Sequence, residues 1–133
     1  MLRKAFFYSN SGEFKKANFL FNYVSKNFKN LHYNYGKYKY LDFLSIQNAN
    51  IGQLNIAMQN CKEAFKIASK LNATIEKEDL QRRIGYLLMA NGKLDEAKKY
   101  VEIIKKYIEK DQSNYSNYLN YLFISEVYFA SED

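Results

Sequence analysis

Arg82-Arg83-Ile84-Gly85-Tyr86-Leu87-Leu88-Met89-Ala90-Asn91-Gly92-Lys93-Leu94-Asp95-Glu96-Ala97 reads as the end of one helix, a tight break at Asn91-Gly92, and the start of a second helix running on to Tyr107. Gly92 opens the turn, and Ala97 follows five residues later on the apolar face of the second helix. The layout recurs upstream: Gly12, Gly52 and Gly92 stand 40 residues apart, and so do Ala17, Ala57 and Ala97. A fixed period of this size marks a helical repeat array, in which each unit stacks on its neighbours.

Composition agrees. The chain of 133 residues is about one domain long, with no proline and only 5 glycines, which suits an all-α protein. The net charge of +6 is unevenly placed: residues 1–40 hold 8 Lys/Arg against Glu13 alone, and the rest of the chain is close to neutral. Cys61 is the only cysteine, so no intrachain disulfide forms and a reducing compartment is expected. The first residues lack a signal-peptide core, and no apolar run approaches the ~20 residues a bilayer demands. A cytoplasmic chain without a membrane span is expected.

Aligned on the 40-residue period, the columns acquire physical meaning. Ala5, Ser45, Gly85 and Ser125 form a column of small residues, where two helix backbones can approach closely. In the second helix of each unit, Phe14, Leu54 and Leu94 share a column, followed by the three alanines, then Phe21, Cys61 and Val101, then Val24, Ala64 and Ile104. Offsets of 3, 4 and 3 from Leu94 through Ala97 and Val101 to Ile104 place one apolar ridge along a helix. Helices are expected over 1–10, 13–28, 37–50, 53–71, 75–90, 93–110 and 114–130, with Thr74 and Ser113 as N-caps. The units run over about 1–36, 37–74, 75–112 and a half unit 113–133, in one domain spanning 1–133.

Gly85-Tyr86, Gly92, Leu94 and Ala97, with Gly52, Ala57, Tyr8, Gly12, Phe14 and Ala17, resemble the tetratricopeptide repeat over nearly the whole chain. Three departures stand out. The period is 40 rather than ~34. The closing proline is replaced by Lys29, Ser69 and Glu109, and Leu41 and Gln81 stand where an aromatic often opens the unit. Longer repeats of this kind are similar to the arrays of bacterial peptide-pheromone receptors, the Rap and PlcR-like group, and of MalT-like regulators. The resemblance implies a right-handed solenoid of helical hairpins and a non-catalytic peptide- or protein-binding module, the sensor part of a bacterial regulator.

Catalytic chemistry has little to work with. His32 is the only histidine, Cys61 sits in an apolar column, and the glycines are isolated, so a triad, a metal cluster and a phosphate loop are not expected. No cofactor is expected. In stacked hairpins the first helices line the concave wall, and removing the packing stripe leaves their inner face. That face carries Asp42, Ile46 and Asn50, then Arg82, Arg83, Tyr86 and Met89, then Glu126 and Phe129. Phe43 and Phe123 fall on it too. Such a surface suits an extended peptide: Asn50 bonds its backbone, an arginine pairs with its carboxylate, and the apolar residues form pockets.

Two alternatives remain open. Residues 1–43 hold 13 of the 23 aromatics together with the excess positive charge, a mix that single-strand binders use, although no nucleic-acid motif is present. A purely structural scaffold is the other. Residues 31–40, rich in tyrosine, read either as an exposed recognition loop or as a cover over the hairpin junction. Neither end carries a polar cap, so the array continues elsewhere or its ends are covered by a partner or a second copy. Arg82 and Tyr86 are expected on the exposed face, outside any packing column.

The alignment has a direct test. Ala97→Arg should force a long charged side chain into a helix crossing and cost several kcal/mol, on the order of 3, in thermal or urea unfolding. A variant as stable as the parent would break the alignment.

Overall fold

Seven helices form among the described residues: α1 (Leu2–Asn10), α2 (Phe14–Phe28), α3 (Asn34–Asn50), α4 (Leu54–Lys70), α5 (Thr74–Ala90), α6 (Leu94–Lys110) and α7 (Asn117–Ser131). The structure, a computed structural model, describes residues 2–28, 34–112 and 116–132. The side chains of Phe14 and Val24, the segment 29–33 with Lys29 and His32, and the expected cap Ser113 lie outside the described residues. The fold is all-α, as the period implies, and no strand occurs among the described residues. No helix there is long and apolar enough to cross a membrane.

The break between helices is one turn used repeatedly. Gly12, Gly52 and Gly92 sit at φ of 80°, 82° and 75°, the left-handed region that costs a residue without a Cβ nothing. The next backbone N–H then donates back five residues: Glu13 to the Tyr8 carbonyl at 2.8 Å, Gln53 to Asn48 at 2.8 Å and Lys93 to Leu88 at 2.9 Å. The carbonyl of that same residue accepts the first bond of the following helix, from the N–H of Ala17, Ala57 and Ala97 at 3.1, 3.0 and 3.1 Å. The spacing from glycine to alanine is therefore a backbone requirement. Closure costs three residues.

A fourth copy of this turn was not legible as a repeat. Asn72 takes the glycine's place at φ 52°, and Ala73 donates to the Ala68 carbonyl at 2.9 Å. Asparagine tolerates this conformation better than most residues. Thr74, expected as an N-cap, is instead the first helical residue of α5, and Ala73 holds the cap position without a side-chain hydrogen bond. Gln53 and Lys93 likewise cap nothing through their side chains. The reason is common to all three: the residue before each helix is already committed to closing the helix before it. Helices α3, α4, α5 and α6 are each 17 residues long, so the 40-residue period consists of two equal halves.

Helix packing separates the helices into two kinds. The even helices bury one stripe: Ala57, Cys61, Ala64 and Ala68 on α4, and Ala97, Val101, Ile104 and Ile108 on α6. On α2, Ala17 and Phe21 are buried in the same register. These are the columns expected from the period, and burial pushes the Cys61 thiol up from its ordinary pKa. The odd helices are buried more widely. α5 lies against both α4 and α6 and also touches α7, and it buries Glu78, Leu80, Arg82, Ile84, Gly85, Leu87 and Leu88. Phe43 and Phe123, expected on the inner face, are core residues, 1% and 0% exposed. Phe43 stacks on Phe21 with centroids 3.9 Å apart and packs in one cluster with Ala5 and Ala17.

The tyrosine-rich run also departs from expectation. α3 begins at Asn34 rather than at 37, which turns residues 34–40 into helix. Gly36 and Tyr38 are buried there while Tyr35 stays exposed. Burial, reinforced by the Asp42 carboxylate, pushes the Tyr38 phenol well above its usual pKa.

Gly85 shows why the crossing column is small. A Cβ placed on it would lie 2.3 Å from Cζ of Phe123 and 2.7 Å from Cε2, so the ring occupies the space a side chain would need. Gly85→Ala should therefore cost about 1–3 kcal/mol through displacement of a fully buried ring, although alanine is the better helix former. Chemical denaturation would measure it, and a gain in stability would contradict this packing.

Candidate functional site

The residues expected to form the groove come from α3, α5 and α7, and the structure divides them into two groups. One group is spent on holding the helices together. Arg82 is 8% exposed; its guanidinium donates to Asn120 Oδ1 at 2.6 Å and to Asp79 Oδ1 at 2.6 Å. Asn120, fully buried, donates to Glu78 Oε1 at 2.5 Å and to Asn117 Oδ1 at 3.3 Å, and Asn117 donates to the Asp111 carbonyl at 2.8 Å. Arg83 pairs with Asp42 and donates to Ser45 Oγ at 3.1 Å. Burial works against its charge, but Asp42 more than offsets that and raises its pKa.

Arg82, Arg83 and Asp42 are therefore not free groove charges, which corrects their expected role. The physical reason is a second packing direction. Stripping the stripe that joins the two helices of a hairpin leaves a face that looks exposed, yet each odd helix also lies beside the next odd helix. A buried charge there needs a partner, and these residues supply one another. The sequence carries one signal of this burial. Glu78 and Asn120 occupy columns that are otherwise aromatic or aliphatic, with Tyr38 and Tyr118 in one and Tyr40 and Leu80 in the other. Two polar residues breaking apolar columns in successive units point to a cross-helix pair.

The second group stays accessible. Ile46 and Asn50 are exposed on α3. Tyr86 is half-buried, its ring edge-on to Phe123 at 5.0 Å, and burial together with a hydrogen bond to the Glu126 carboxylate pushes its phenol up to about 12. Met89 is half-buried, Glu126 is exposed, and Phe129 is 79% exposed. Met89, Ser125, Glu126, Phe129 and Ala130 line an open, largely apolar depression of about 410 Å³ where α5 meets α7. Their columns are continuous with it: Ile46, Tyr86 and Glu126 share one, and Asn50, Ala90 and Ala130 another.

The basic first unit has its own depression, of about 350 Å³, lined by Lys4, Tyr8, Lys15, Lys16, Phe19 and Leu20. Lys16 is paired with Glu13 and lies over the Tyr8 ring at 5.2 Å. Among the described residues, no group of three His, Cys, Asp or Glu side chains is placed to hold a metal ion.

Compared with protein-family models, with curated proteins and with solved structures, the chain matches none. What it binds must be argued from its own geometry.

The buried network makes a prediction opposite to the one the sequence suggests for Arg82. Arg82→Ala leaves the buried Asn120 Oδ1 without its donor and should destabilise the fold by about 1–3 kcal/mol, the cost of an unpaired buried polar group. Ile46→Ala, on the exposed face, should change stability by less than about 0.5 kcal/mol. Urea titrations followed by circular dichroism compare the two, and equal effects would contradict the network.

Proposed function

We propose that the chain is a non-catalytic binding module: a tetratricopeptide-like solenoid whose odd-numbered helices line a groove for a peptide or a protein segment. Support for the solenoid comes from the recurring turn, from hairpins of equal helices and from side-chain contacts linking α3 to α5 and α5 to α7. The observation that carries the binding reading is the depression beside Phe129. It combines exposed apolar surface from Met89, Phe129 and Ala130 with one carboxylate, Glu126, while the neighbouring arginines are neutralised internally. An apolar residue next to a basic residue, or next to a free amino group, fits that chemistry. The role of sensor in a regulator follows from the resemblance and belongs to the same reading.

The depression on the first unit favours a second reading, an anionic partner such as single-stranded nucleic acid held by Lys4 and Lys15 with Phe19 as a stacking surface. The two readings separate in one experiment. Selection from a random peptide library, followed by calorimetry, should yield sequences pairing an apolar with a basic residue. Phe129→Ala should weaken them by about 1–3 kcal/mol, the range for loss of an interface anchor. Glu126→Gln should weaken them in a salt-dependent way, and the double change Lys15→Glu with Lys16→Glu should leave them nearly unaffected. Oligonucleotide binding that collapses with the lysine changes and with added salt, with no peptide selected, would establish the second reading instead.

A further inference from the structure

The even helices enclose a cavity of their own, apart from the groove. About 110 Å³ of space lies between α4 and α6, closed by the last turns of α5. Its apolar lining includes Met58 on α4 and Leu87 and Leu88 on α5, all buried or half-buried. Its polar lining includes Lys62 on α4, Lys93 in the turn before α6, and Glu96 and Tyr100 on α6. The repeat does not call for these charges. One unit earlier the columns of Lys62, Lys93 and Glu96 hold Asn22, Gln53 and Ile56.

Nor do the charges satisfy one another. Elsewhere in these helices Arg83 is paired with Asp42, Lys98 with Asp95 and Lys105 with Glu102. Lys62, Lys93 and Glu96 line one small cavity, yet among the described residues none of the three makes an ion pair. The cavity thus presents two cations, one carboxylate and an apolar floor, all unengaged.

We infer that this cavity is a binding site for a small zwitterion, an apolar α-amino acid whose carboxylate faces the two lysines, whose ammonium faces Glu96 and whose side chain lies on Met58, Leu87 and Leu88. Size and charge select this occupant together. Drug-sized ligands fill pockets of about 300–1,000 Å³, so a cavity this small suits a single amino acid rather than a peptide strand. A purely anionic solute would bring its charge up to Glu96, and a purely cationic one would meet two lysines. An uncharged solute would leave both signs unanswered. A lysine or glutamate side chain of a partner protein carries one sign alone. A zwitterion makes charge-assisted hydrogen bonds at both ends. Tyr100 adds a donor, because burial and then the Glu96 carboxylate raise its phenol pKa and keep the hydroxyl protonated. The site does not depend on what the groove binds, since Met89, Glu126 and Phe129 are not among its walls.

Calorimetry of the full chain should show saturable binding, at millimolar concentrations, of at least one of L-alanine, L-valine and L-leucine. The matching acid without the ammonium and amine without the carboxylate, isovalerate and isobutylamine in the case of valine, should each bind at least about tenfold more weakly. Glu96→Gln should weaken the amino acid by a similar factor and leave the acid no weaker. Lys62→Met with Lys93→Met should abolish binding of both. All three side chains are exposed, so helical circular dichroism should be retained. If the variants fail to fold, magnetic resonance of the parent chain still decides: the amino acid should shift Met58 and Tyr100 and leave Phe129 unmoved. Saturable binding of none of the three amino acids would overturn the proposal. So would an acid that binds as tightly as its amino acid, which would make this a plain anion site, or shifts that spare Met58 and Tyr100.

Discussion

Everything in this fold hangs on a three-residue turn that ends one helix and starts the next with backbone groups alone. A residue at positive φ lets one N–H reach back to the outgoing helix, while the adjoining carbonyl receives the first bond of the incoming one. No side-chain cap is needed, and no residue is spare. With helices of 17 residues between such turns, each helix must run back along its neighbour over its full length. The packing columns follow from that enforced alignment.

Within this frame the even and odd helices carry different burdens. An even helix fully buries one stripe, mostly of small and aliphatic residues, with half-buried side chains such as Met58, Phe65 and Tyr107 packed beside it. An odd helix also meets the next odd helix through its side chains, so those crossings must be filled by whatever fits. The column of Phe43, Arg83 and Phe123 shows two solutions to one problem. Phe43 and Phe123 fill the crossing with a ring, packed in a cluster with Ala5 in one case and over Gly85 in the other. Arg83 fills it with a guanidinium held by Asp42 and Ser45. The ion pair is not better than the ring as a source of stability, since desolvation consumes much of its Coulomb energy. It does require a matching partner on the neighbouring helix, which Asp42 and Ser45 supply.

That use of charge shapes what is left for binding. With Arg82, Arg83, Asp42 and Asp79 tied to partners, the depression beside Phe129 is apolar with a single acidic group, while the excess positive charge lies in the first unit. One chain thus offers two chemically distinct surfaces, a basic one on the first unit and an apolar one with a single carboxylate beside Phe129.

The all-α class, the positions of five of the seven helix starts to within about one residue, and the stripes of α4 and α6 were legible from the glycine and alanine spacing, because they depend on local backbone geometry and on neighbours in sequence. Of the other two, α7 begins at Asn117 rather than at 114, and α3 begins in a tyrosine-rich stretch whose polar character masked a helix that tertiary burial of Tyr38 stabilises. The site was legible only in part. Ile46, Asn50, Tyr86, Met89, Glu126 and Phe129 are accessible to some degree, as their columns suggested, but whether Arg82 faced solvent or the interior depended on Asn120, 38 residues away. Periodicity along a chain reports which face of a helix is apolar. It does not report that a polar face is buried as well, because a buried charge looks like an exposed one until its partner is brought beside it, and only the tertiary structure does that.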